Sequence, residues 1–181
     1  MYHSASLSRT YYYVIDERFM ANMKLDQTDR KILDILQRRA KITNAQLSKE
    51  VNLSPAPTLE RVKKLETQGY IESYHAKLNS QKLGLGVMTY ISIKLSRHNQ
   101  ETNRSFEETI NQIDEVVECY FTTGTSDYLL KVVASDIEAY QRFIIDKISQ
   151  IKEIDHIQTM VVLSTLKDSK VLPIPEQVNR N

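Results

Sequence analysis

An α+β chain of two modules is the fold class predicted by three observations. Apolar residues recur at helical spacing from Leu25 to about Leu65, they alternate with a period of two in several runs after residue 86, and the charge balance changes sign between the two stretches. Residues 24–79 carry 11 Lys/Arg against 7 Asp/Glu, whereas residues 80–181 carry 11 against 14. The first stretch is suited to meet a polyanion and the second is not. At 41% hydrophobic and 26% charged, the 181 residues have the balance of a globular chain with room for two small cores. No apolar run approaches the roughly 18 residues of a membrane helix, so no membrane partner is expected. A single cysteine, Cys119, allows no internal disulfide and no cysteine-based zinc cluster, and a reducing cytoplasm is the expected compartment.

Residues 1–22 (MYHSASLSRTYYYVIDERFMAN) fit neither module and lack the features of a secretory signal. They read as an extension ahead of Met23, disordered or from a non-native start, with a strand or arm over Tyr11 to Ile15 as the alternative. The first module is expected over residues 23–79. Asp26 caps its first helix, with Asp29 in the electropositive first turn and Leu25, Ile32, Leu33, Ile35 and Leu36 along an apolar face. A shorter helix starts at Asn44, runs through Ala45, Leu47 and Val51, and ends at Asn52, a residue suited to left-handed backbone.

The third helix opens with two prolines, in LSPAPTLERVKKLETQGYI (53–71). With Ser54 as N-cap, Pro55 and Pro57 fall in the first turn, where backbone N–H groups have no partner inside the helix and a missing donor costs nothing. At about 100° per residue, Leu59, Val62 and Leu65 share an arc centred on Val62. That leaves Ala56, Pro57, Glu60, Arg61, Lys63 and Lys64 on the outer face. Gly69 ends the helix, and Tyr70, Ile71, Tyr74 and Ala76 alternate as a short strand would. Three helices with a tight turn at Asn52 and Leu53, then a strand, describe a winged helix-turn-helix, whose last helix enters the major groove of double-stranded DNA.

Residues 80–86 (SQKLGLG) form a linker, and the second module spans 87–181. Strands are expected at 87–95, 116–124, 127–135 and 154–165, with helices at 105–113 and 136–148, the latter capped by Asp136. The order βαββαβ is that of a ferredoxin-like fold. Helices cover only one face of such a sheet, so the other face predicts a homodimer packed sheet to sheet.

The runs LDQTDRKILDILQ, LSPAPTLERVKKLETQGYI and GTSDYLL (124–130) together resemble the Lrp/AsnC family, the leucine-responsive and asparagine regulators also called feast/famine regulators. The resemblance extends from about Leu25 to Leu166 and is most specific in the S-P-x-P-x-L-E-R-V run and the G-x-x-D-Y turn. It implies a transcription regulator that is not an enzyme and carries no cofactor. Its N-terminal module would bind DNA through Asn44, Ser54, Ala56, Pro57, Thr58, Glu60, Arg61, Lys63 and Lys64. Its C-terminal module would form dimers, and octamers as tetramers of dimers. An amino-acid effector such as leucine or methionine would bind between dimers at Gly124, Thr125, Ser126, Asp127 and Tyr128. Backbone N–H groups of the turn suit a carboxylate, and Asp127 suits an ammonium. Many family members carry a carboxylate directly after this glycine; here Thr125 stands instead. That departure motivates an alternative reading, an architectural DNA-binding protein without effector.

The remaining chemistry-bearing residues point elsewhere than catalysis. His3, His75, His98 and His156 are scattered without metal-ligand spacing, and a tetrapyrrole decarboxylase, the enzymatic alternative, would need a convergent His pair. Cys119 is expected as a small buried residue in a strand, Glu107 and Glu108 diverge around their helix, and GLG at 84–86 lacks the rest of a phosphate loop. Tyr140, Gln158 and Met160 are expected to pack.

Overall fold

The computed structural model describes residues 25–175, and the extension expected over residues 1–22 lies outside them. The described chain divides into two compact units, one holding residues 25–76 and 169–175, the other residues 77–168.

The first unit contains α1 (Gln27–Arg38), α2 (Asn44–Glu50) and α3 (Pro55–Thr67). Asp26 caps α1 as expected, accepting the Asp29 N–H at 2.8 Å. The start of α2 lies one residue earlier than the sequence pattern indicates. Thr43, not Asn44, is its N-cap, in a reciprocal capping box with Gln46. The side chain of Asn44 is thereby released and donates to the Pro55 carbonyl at 2.8 Å, tying α2 to the first residue of α3. Asn52 takes the expected left-handed φ of 57°. Ile32, Ile35, Leu36, Leu47, Val51 and Leu65 form the core under these helices. Gly69 ends α3 at φ 75°, and the Tyr70 N–H returns to the Leu65 carbonyl at 2.9 Å.

Two expectations are corrected here. The strand predicted at Tyr70 to Ala76 does not form. Alternation makes a strand only where a neighbour supplies ladder partners, and no other strand occurs among the described residues of this unit. Instead, the Tyr74 hydroxyl donates to Glu66 at 2.9 Å, and burial followed by this bond pushes its pKa up to about 12. The second correction concerns the end of the chain. Residues 169–175 belong with the first unit, not with the sheet: the Leu172 N–H and C=O pair with the Gln37 side-chain amide at 2.9 and 3.0 Å.

The second unit is the expected βαββαβ sandwich: β1 (Val87–Leu95), α4 (Gln100–Ile110), β2 (Val116–Phe121), β3 (Tyr128–Ala134), α5 (Ile137–Asp146) and β4 (Ile154–Val161). The fully antiparallel sheet runs β2-β3-β1-β4. Helix α4 starts five residues before the expected 105 because Asn99 caps it, accepting the Thr102 N–H at 2.8 Å. Its polar first turns carry no apolar period to mark them. Asp136 caps α5 as expected, with the Ala139 N–H at 2.6 Å.

Alternation in β1 and β3 sends Ile91, Ile93, Leu95, Tyr128, Leu130 and Val132 beneath the helices, against Phe106, Ile110, Phe143 and Ile148. The opposite face carries Tyr90, Lys131, Tyr120 and Met160, with Lys131 and the Tyr120 hydroxyl both bonded to Glu118, at 2.9 and 2.8 Å. On β2, Cys119 is exposed rather than buried. Its thiol still lies in partly desolvating surroundings near Glu107, which push its pKa up to about 11 and leave it a poor nucleophile at neutral pH.

Candidate functional site

Helix α3 supplies the first candidate surface. Ser54, Ala56, Glu60, Lys63 and Lys64 are exposed, and Pro57 is half-buried. Leu59, expected inside, is 44% exposed, whereas Thr58, expected at the DNA face, is fully buried. The buried stripe therefore runs Thr58, Arg61 and Val62, Leu65, and the outward face is Ala56, Leu59, Glu60 and Lys63, one position around from the arc that side-chain polarity indicates. Two polar residues make the rotation feasible. The Thr58 hydroxyl donates to the Ser54 carbonyl at 2.9 Å, so it enters the interior satisfied. Arg61 turns inward to Asp26 and Asp29, with Nη1 at 2.6 Å from a carboxylate oxygen of each. Desolvation works against the Asp26 charge, but the Asp29 N–H and Arg61 hold its carboxyl below the ordinary range. The two carboxylates in turn raise the Arg61 pKa.

Of the predicted DNA-binding residues, the fold thus brings Ser54, Ala56, Pro57, Glu60, Lys63 and Lys64 to one outer surface. It commits Asn44, Thr58 and Arg61 to contacts within the unit. Asp29, read from the sequence only as a first-turn acid, is buried against Arg61 of α3. The signal was its position one helical turn after a cap residue, on the same side as Ile32 and Ile35.

The connection from β2 to β3 supplies the second surface. Thr122 closes it, donating its N–H to the Asp127 carbonyl at 2.8 Å and its hydroxyl to the Ser126 carbonyl at 3.0 Å. Gly124 sits at φ 125°, a conformation that side chains rarely adopt. Gly124 and Thr125 are exposed and Ser126 is half-buried; among the described residues nothing accepts from the N–H groups of these three.

The side chains of Asp127 and Tyr128 turn away from this exposed arc. An Asp127 oxygen accepts the Leu95 N–H at 2.8 Å, the other lies 3.4 Å from His98 Nδ1, and the Asp127 N–H donates to the Ile93 carbonyl. Tyr128 is 1% exposed, stacked between Phe106 and Phe121, with its hydroxyl donating to Glu107 at 2.9 Å. Its side chain, expected at the effector, belongs to the core. Leu95 and His98 hold the turn from β1 and were not legible as partners in the sequence, because nothing in a linear pattern places residues 32 apart side by side.

A groove of about 660 Å³ lies elsewhere, in the first unit, lined by Arg30, Lys31, Asp34 and Arg38 of α1 and by Leu172, Pro173 and Ile174. Among the described residues no group of His, Cys, Asp and Glu is arranged to hold a metal ion, and no helix is long and apolar enough to cross a membrane.

The exposed, partly basic third helix and the glycine turn with unused donors each fall within a stretch that matches a known family. Residues 25–72 match the winged helix-turn-helix DNA-binding family, and residues 88–172 match the Lrp/AsnC ligand binding domain. The chain belongs to the Lrp/AsnC family of transcription regulators. It is 44% identical over 152 residues to the transcriptional regulator AzlB of Bacillus subtilis, covering 84% of this chain and 97% of that protein. It is 35% identical over 161 residues to the leucine-responsive regulatory protein of Escherichia coli, covering 89% and 98%. Among solved structures, a complex of the transcriptional regulator NMB0573 of Neisseria meningitidis with L-Met superposes with a TM-score of 0.79 at 34% identity, covering 83% of this chain and 97% of that one. An AsnC family regulator of Agrobacterium tumefaciens gives 0.78 at 37%, covering 82% and 97%. As an Lrp/AsnC protein, the chain is a DNA-binding regulator with a ligand-binding domain, and not an enzyme.

Proposed function

We propose that this protein regulates transcription by binding DNA through the outer face of α3 and by changing its assembly when a small amino acid binds the turn at Gly124 to Asp127. Lys63 and Lys64 supply phosphate attraction, while the small residues Ala56 and Pro57 let the tip of α3 approach base edges. Two such helices related by a two-fold axis read half-sites about one helical turn, or a multiple of it, apart. The dimer forms through the sheet face that carries Tyr90, Lys131, Tyr120 and Met160, and dimers assemble further into octamers in the cytoplasm.

The observation that carries the effector reading is the group of three N–H donors at Gly124, Thr125 and Ser126, exposed on a glycine turn and without acceptors. Such a group suits a carboxylate. Asp127, whose two oxygens meet the Leu95 N–H and His98 Nδ1, holds the turn that presents these donors. The Neisseria regulator solved with L-Met and the leucine-responsive relatives favour methionine or leucine as the effector. An effector acts only by binding one assembly better than another. Calorimetry with the twenty amino acids, alongside light scattering of the assembly, tests this reading. One amino acid should bind and shift the mass. Flat titrations throughout would leave the effector-free architectural reading, which Thr125 motivates.

A further inference from the structure

The inward turn of Arg61 is unexpected for an arginine on the helix that faces DNA. Helix α3 has only three long basic side chains within its span, and one of them points away from the outer face. The Asp29 side chain it meets is 5% exposed, so this carboxylate has left water, with the guanidinium 2.6 Å away as its counter-charge. The Asp26 side chain is shared between two tasks, since it also caps α1 through the Asp29 N–H. The same guanidinium therefore bridges the first turn of α1 and the middle of α3, elements 32 and 35 residues apart in sequence. Around the helix axis, Arg61 lies at the edge of the buried stripe, next to Leu65, with Thr58 and Val62 beyond it. If it swung out, the stripe would lose its ion pairs to the start of α1.

We propose that Arg61 is a positioning residue for DNA recognition: by clamping α3 to Asp26 and Asp29 it fixes which side chains the helix turns outward, and it does not itself touch DNA. The proposal rests on α3 being the DNA-facing helix. One guanidinium nitrogen, Nη1, reaches both carboxylates, and the rigid planar group that carries it sets a rotation, which a flexible ammonium does less well. The outward set of Ala56, Leu59, Glu60 and Lys63 is the set this rotation selects. Neutralising Arg61 between two carboxylates also removes its charge from the field that meets phosphates, leaving the work of phosphate attraction to Lys63 and Lys64.

The test uses the full-length protein and a duplex that it selects from a random-sequence pool, with binding followed from low to moderate salt. For Lys63→Ala, the slope of log K against log salt should fall by about one, the signature of a lost phosphate contact. For Arg61→Met, affinity for the selected duplex should fall about tenfold or more, binding to random duplex should change little, and the slope should stay as in the parent. Arg61→Met leaves Asp29 uncompensated and can unfold the unit, so the double variant Asp29→Asn with Arg61→Met is measured beside it. With both charges gone the packing is restored, and selective binding should recover in part even though no charge has returned to position 61. Asp29→Asn alone should weaken selective binding, although it leaves Arg61 with only one carboxylate, Asp26. A slope reduced by about one in the folded double variant, or stronger DNA binding by Asp29→Asn, overturns the positioning role and makes Arg61 a phosphate contact. If Lys63→Ala changes neither affinity nor slope, the DNA-facing reading of α3 is what fails.

Discussion

The outer face of α3 and the turn between β2 and β3 are built in opposite ways. On α3 the main chain is consumed by the helix, and what remains for a partner is side chains: Glu60, Lys63 and Lys64 stand exposed, while Thr58 and Arg61 are spent holding the helix in place. At the turn the side chains of Asp127 and Tyr128 are spent on Leu95 and Glu107, and what remains is main chain, the N–H groups of Gly124, Thr125 and Ser126. A surface of side chains changes its specificity with every substitution. A surface of backbone donors keeps its chemistry through substitutions that leave its conformation alone. On the proposed reading, this difference makes the backbone conformation at Thr125 weigh more than its side chain.

The comparison can be broken most forcefully at the supports beneath each surface. Leu65, 1% exposed in the core under α3, should cost about 2–5 kcal/mol when replaced by alanine, enough to abolish DNA binding through loss of the first unit. Urea unfolding read together with calorimetry should show the effector response of the second unit outlasting that loss. Next in size is Gly124→Ala. At φ 125° a side chain is strained, with a cost of about 1–3 kcal/mol, and the turn should lose its effector affinity while DNA binding at low salt is retained. Thr125→Ala makes the matching control. It leaves the backbone free to keep its conformation, so stability should stay within about 0.5 kcal/mol and most effector affinity should survive. If Thr125→Ala were as harmful as Gly124→Ala, the turn would be a side-chain site after all.

On α3, the double replacement Lys63→Ala with Lys64→Ala should leave the melting transition nearly unchanged but lower the salt slope by about two in gel-shift titrations. The smallest expected effect is on acid stability. Asp26 has its folded pKa depressed, so its contribution is fully present above the ordinary carboxylate range near 4 and is lost as pH falls through the lower folded value. Unfolding curves measured between about pH 5 and pH 2 should steepen for the first unit relative to the Asp26→Asn variant. An identical pH dependence in both would mean that the Arg61 clamp places no demand on the Asp26 charge.

Much of this molecule was legible without coordinates where a local signal and a tertiary need agreed. Asp26 and Asp136 as caps, Asn52 and Gly69 as left-handed residues, and Pro55 at the first position of α3 follow from backbone chemistry that acts over four residues or fewer. Strand β1 matched its apolar alternation from Val87 to Leu95 because one face of it is buried. Except for the start of α4, which a polar stretch hides locally, the misses share one cause. The strand expected after Gly69 lacked a partner, Asn99 began α4 in a stretch with no apolar period, and residues 169–175 found their acceptor at Gln37, 135 residues away. The inward turn of Thr58 and Arg61 belongs to the same class, since polarity argued for the surface and only Asp29 across the helix pair argued otherwise.

The sequence by itself determined most of the elements, their order, the two modules and the family, because periodicity, capping and turn chemistry are written in neighbouring residues. The tertiary structure alone decided which face of α3 looks outward, which unit holds residues 169–175, and which atoms of the turn remain unused. Those are matters of pairing across space. A polar side chain is buried or exposed according to whether a partner waits for it, and the partner of Arg61 lies 32 residues away on another helix.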